Sequence, residues 1–95
     1  MMKKHEAIEI ANNILIELRQ RSYDDLRILL TQKEKQEGRL ADGSPYIAVA
    51  QANWDNRVNG NLRVSVLVDD GGLRAMKPFS NDFIISPEGD FIGED

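Results

Sequence analysis

The apolar residues change period near residue 40. Up to about Glu37 they recur at helical spacing; from Tyr46 onward they alternate with polar residues and are interrupted by turn signals. The first segment predicts a helix over Lys4–Arg21, with Ala7, Ile8, Ile10, Ala11, Ile14, Leu15 and Leu18 on one broad face and Ile16 almost opposite. Ser22 is placed to cap a second helix. Asp25 three residues on completes a box-like pattern, and Asp24 and Asp25 suit the positive end of the helix dipole. Its apolar face is Tyr23, Leu26, Leu29 and Leu30. Lys33 and Lys35 fall in its last turns, and Gly38 is its stop. One long kinked helix is the alternative for residues 4–37.

Beyond the polar loop Gly38–Pro45 the pattern becomes that of a sheet. Tyr46–Trp54 reads as a strand with Tyr46, Ala48, Ala50, Ala52 and Trp54 on one face, and its three alanines predict a helix packed closely over them. Asn59-Gly60 is a strong hairpin signal. Leu62–Asp69 then alternates cleanly, with Leu62, Val64, Val66 and Val68 toward the core and Arg63, Ser65 and Leu67 away from it. Asp69-Asp70-Gly71-Gly72 turns the chain into a third strand, Leu73–Phe79, whose Pro78 marks an edge or an end. Phe83–Ile85 is a fourth strand, Ser86-Pro87-Glu88-Gly89 a type I turn, and Phe91–Ile92 a short fifth strand or an extended tail. The expectation is an α+β fold: one or two N-terminal helices packed on a four- to five-stranded antiparallel β-meander. Residues 1–95 form one domain, helical over about 4–37 and sheet over about 46–93.

The capped Ser22-Tyr23-Asp24-Asp25-Leu26 helix, followed by a curved meander ending in Phe83-Ile84-Ile85-Ser86-Pro87-Glu88-Gly89, resembles the small NTF2-like and cystatin-like α+β domains. The resemblance implies a fold and carries no residue roles. A full NTF2-like cone uses more helix and strand than this chain supplies, and the acid and histidine pairs of its enzymatic members have no counterpart here. Folds of this kind host enzymes, binding modules and dimerisation domains alike.

Charge narrows the partners. The net charge is −4, and residues 39–95 carry it: five bases against nine acids, where residues 1–38 balance at seven each. An acidic surface repels a phosphate backbone, so nucleic acid is not an expected partner. From Asp82 to Asp95 there are five acids and no base. Asp82, Glu88 and Asp90 are therefore candidates for binding a basic partner, against the plainer reading of a solvated acidic edge. Polar residues interrupt Ala7–Leu18, so it is no signal-peptide core, and no apolar run has the length of a membrane span. A soluble, cytoplasmic protein is expected.

Candidate chemistry is sparse. There is no cysteine, which removes disulfides, thiolate metal sites and a Cys nucleophile. His5 is the only histidine and sits in a terminal helical turn, a poor place for a rigid general base or for a zinc ligand. Without a second histidine the serines have no triad partner. Asp69 and Asp70 are adjacent at a strand end, where neighbouring side chains diverge, and Gly71-Gly72 lacks the helix and GK[ST] of a phosphate loop. No catalytic residue, metal site or cofactor is assigned. For ligand binding the candidates are Arg63, a guanidinium on a sheet face, and Trp54, which closes the core or anchors an interface. The function expected is a non-catalytic interaction or self-association module, as a homodimer or with a protein partner. The alternatives are a small-ligand or enzymatic NTF2-like pocket protein, and an acidic inhibitor or immunity-type protein facing a basic partner.

Overall fold

The computed structural model describes residues 3–69 and 79–94. Helix α1 spans Lys4–Leu18, α2 spans Tyr23–Leu26, and a 3₁₀ turn follows at Arg27–Leu30. Four strands come next: β1 Glu34–Arg39, β2 Pro45–Trp54, β3 Leu62–Asp69 and β4 Phe79–Ile85. They pair antiparallel in the order β1-β2-β3-β4, an open meander with α1 over β3 and β4 and the 3₁₀ turn over β2. The α+β class is as the periodicity predicts.

The helices are separate rather than one kinked rod. α1 ends three residues before Arg21, and Ser22 Oγ accepts from the Asp25 N–H at 3.1 Å to start the next helix. That second helix is far shorter than the sequence suggests. It gives way to the 3₁₀ turn by Arg27, and residues 34–39 are strand β1, not helix. Glu, Lys and Gln favour helix by intrinsic propensity, but by less than 1 kcal/mol per residue. Pairing with β2 over the register Glu34↔Ala50 to Arg39↔Pro45 overrides that preference. Gly38 does not stop a helix; it lies in β1 opposite Tyr46. The loop expected over Gly38–Pro45 shrinks to the tip of a hairpin. There the Leu40 N–H donates to the Ser44 carbonyl at 2.8 Å, and the Ser44 N–H donates to Asp42 Oδ1.

Strands β2 and β3 occupy the predicted residues, and their faces fall as the alternation requires. Leu62, Val64, Val66 and Val68 are buried under the helices, as are Ala48, Ala50 and Ala52, whose small side chains let the 3₁₀ turn approach β2 closely. From the helical side Ala7, Ala11, Leu15, Leu18, Leu26 and Leu29 fill the centre. Ile10, Ile14 and Leu30, expected there, pack half-buried at its margin. The stripe on α1 is thus rotated toward its alanines, and Ile16 is exposed on the far side.

Asn59-Gly60 does not make a two-residue hairpin. The connection spans residues 55–61, closed by the Asp55 N–H on the Asn61 carbonyl at 2.8 Å, with Asn59 at φ 65°. Tyr23 Oη donates to the buried Gly60 carbonyl at 2.6 Å, which ties this loop to α2. Of the predicted third strand, Leu73–Phe79, all but Phe79 lies outside the described residues, as does Asp70-Gly71-Gly72. The predicted fourth strand is the end of β4. Phe91 makes a single bridge to Ile85 rather than a strand, and the 86–89 turn closes with the Gly89 N–H on the Ser86 carbonyl at 2.9 Å.

Candidate interaction surface

The described helical segments lie on one face of the sheet, and cross-strand register shows what the other face carries. Lys35, Val49, Leu67 and Ser80 form one row across β1 to β4; Glu37, Ile47 and Asp69 form the row beside it. Gln51, Ser65 and Asp82 make a third row and Asn53, Arg63 and Ile84 a fourth. The face therefore has an apolar patch of Ile47, Val49 and Leu67, each half-buried, beside a polar half centred on Arg63. Among the described residues no helix or turn packs over it.

Arg63 is held between two carboxylates. Its Nη1 donates to Asp82 Oδ2 at 3.0 Å and its Nη2 to Asp55 Oδ1 at 2.9 Å. Asp82 first, and Asp55 second, raise the guanidinium pKa above its ordinary value. Two carboxylates around one guanidinium leave the cluster with a net negative charge, which disfavours an incoming anion. Asp82 is likewise spoken for by Arg63. Glu88 and Asp90 lie on the exposed turn after β4, where Asp90 contributes its backbone carbonyl to the Ser86 N–H at 2.8 Å.

Trp54 is on the other face from Arg63. It continues the Ala48-Ala50-Ala52 side of β2, packs half-buried against the core, and lies under the guanidinium of Arg27, whose Cζ is 5.4 Å from the ring centroid. Arg27 Nη2 also donates to Asn59 Oδ1 at 2.8 Å. Trp54 thus closes one end of the core, and the sheet keeps it apart from Arg63; the two cannot share one ligand. His5 is exposed on the first turn of α1. Among the described residues no group of three His, Cys, Asp or Glu is placed to hold a metal ion.

The sequence reading missed β1, whose outer edge is unpaired among the described residues and where all residues but Gly38 are exposed. Its charges alternate in sign on the outer face as Lys35, Glu37 and Arg39, with Lys35 Nζ 3.4 Å from Glu37 Oε2. Arg21 fastens the start of the strand to α1: Nη1 donates to Glu34 at 2.8 Å, while Nε and Nη2 each donate to Glu17 at 3.0 Å. These hydrogen bonds, Glu34 first, raise the Arg21 pKa above its ordinary value. On the helix side, Ile14, Leu18, Ala48 and Ala50 line a groove of about 100 Å³ beside β1. The far edge, β4, is partly closed by the Ile85–Phe91 bridge and by the Ile92 N–H on the Ile84 carbonyl at 2.8 Å.

Comparison with protein-family models, with curated proteins and with solved structures returns no match. Among the described residues no helix is long and apolar enough to cross a membrane.

Proposed function

We propose that this protein is a non-catalytic interaction module that works by self-association. The observation that carries the reading is a sheet that, among the described residues, is covered on one side only, with an apolar patch of Ile47, Val49 and Leu67 on the other and an open edge at β1. Half-covered antiparallel sheets are common when the free face is polar; an apolar patch beside an unpaired edge is what a second protein surface complements. The reading is supported further by the pairing of the chemistry-bearing groups. Arg63 is neutralised by Asp55 and Asp82, and Trp54 belongs to the core rim. Among the described residues the helix-side groove beside β1 is about 100 Å³, below the roughly 300 Å³ at which small-ligand sites begin, while a more open hollow of about 440 Å³ lies at Glu37, Gly38, Arg39, Pro45, Tyr46 and Ile47. The resemblance to NTF2-like and cystatin-like domains enters the proposal as topology only.

Light scattering on the full chain from micromolar to millimolar concentration tests it. The expected result is a mass that rises toward twice 10.7 kDa. A mass fixed at that of one chain throughout would reject self-association.

A further inference from the structure

Of the open surfaces, the β1 edge is the one whose partner can be specified. Its six residues, Glu34-Lys35-Gln36-Glu37-Gly38-Arg39, carry two acids and two bases, so the strip is neutral on a molecule of net charge −4. Two like-charged copies approach each other at least electrostatic cost along such a strip. We propose that two copies pair their β1 strands antiparallel about a twofold axis through Gln36, joining the two sheets into one of eight strands. The inference rests on the self-association reading and names the surface that performs it.

The register follows from face and charge. A twofold axis perpendicular to the sheet keeps the helices of both copies on one side, so directly opposed residues must share a face. Lys35, Glu37 and Arg39 occupy the outer face; Glu34, Gln36 and Gly38 occupy the helix face. With Gln36 on the axis, each Lys35 stands opposite Glu37 of the second copy, giving two reciprocal pairs of opposite charge. On the helix side Glu34 meets Gly38 of the second copy, where the Tyr46 ring of that copy lies over the bare backbone. A shift of two residues one way sets Lys35 against Lys35. The same shift the other way sets Glu37 against Glu37 and Lys35 against Arg39. The alternating charges that shield an edge from indiscriminate strand addition thereby select one register. Arg21, holding Glu34 at 2.8 Å, keeps the edge extended and ready for pairing.

The chain has no cysteine, so Gln36→Cys introduces a single thiol on the proposed axis. Opposed Cα atoms in an antiparallel pair lie roughly 4.5–5.5 Å apart, inside the range a disulfide spans. Oxidation with diamide should convert Q36C to a covalent dimer, while N53C, on the exposed outer face of β2, should stay largely uncrosslinked. Lys35→Glu should raise the dimer dissociation constant roughly tenfold, and the K35E/E37K swap should restore it, since opposed pairs regain opposite signs. All four variants change exposed positions, so folding is not at stake. A mass of two chains without preferential Q36C crosslinking would overturn the β1 pairing and leave self-association through another surface. A single-chain mass at every concentration would overturn both.

Discussion

Gly38 lies beneath the ring of Tyr46: a Cβ on the glycine would stand 2.5 Å from Tyr46 Cζ and Oη. The two residues are cross-strand partners in β1 and β2, and the aromatic ring covers the backbone that the glycine leaves bare. In an ordinary strand interior alanine is preferred over glycine by roughly 0.5–1 kcal/mol. Here Gly38→Ala must push the ring aside, so it should destabilise by about 1–2 kcal/mol in chemical denaturation. In a Tyr46→Ala background the same change should be neutral or stabilising. An equal effect in both backgrounds would show that the ring does not lie over Gly38.

Val66 is fully buried between α1 and the sheet. Val66→Thr keeps the shape and buries a hydroxyl with no partner supplied by the wild-type packing. It should cost about 1–3 kcal/mol, which lowers the melting temperature by several degrees for a chain of this size. An unchanged melting temperature would place Val66 on the other face.

The buried Tyr23 hydroxyl on the Gly60 carbonyl is the bond that fixes the 55–61 loop to α2. Tyr23→Phe leaves that carbonyl unpaired, and denaturation should show a loss of about 1–2 kcal/mol. Hydrogen exchange should report faster opening at the Gly60 N–H, which donates to Arg57.

Arg19 holds the C-terminal segment. Its guanidinium lies 4.9 Å from the Phe83 ring centroid and 4.6 Å from that of Phe91, and it donates to both carboxylate oxygens of Glu94 at 2.9 and 2.6 Å. These bonds lower the Glu94 pKa below its ordinary value of 4.5. A depressed carboxylate contributes stability that is present above the ordinary value and lost as pH falls through the folded value. Exchange protection of the Ile92 amide should therefore fall on acidification below about pH 4.5. Arg19→Ala should remove this pH dependence; a dependence that survives it would mean that Glu94 is not the titrating group.

Strands β2 and β3 are legible from sequence because each has one apolar face, and alternation is then unambiguous. β1 is not, because Glu34-Lys35-Gln36-Glu37-Gly38-Arg39 contains no apolar residue, and both its faces and its edge meet solvent. With no buried side to mark the period, residue propensity points to helix, and only pairing with β2 decides otherwise. The site residues divide in the same way. Arg63 stands out as a guanidinium on a sheet, but its carboxylates come from positions 55 and 82, and only the strand register brings them together. The Lys35–Glu37 pair becomes meaningful once both residues share a strand face.

Hydrogen exchange of the β1 amides at low and high protein concentration tests the central claim most directly. In a paired edge the outward-facing amides of residues 34–39 gain protection as concentration rises, while those bonded to β2 change little. That selective slowing is the predicted result. Outward amides that exchange at the same fast rate across the whole range would contradict it.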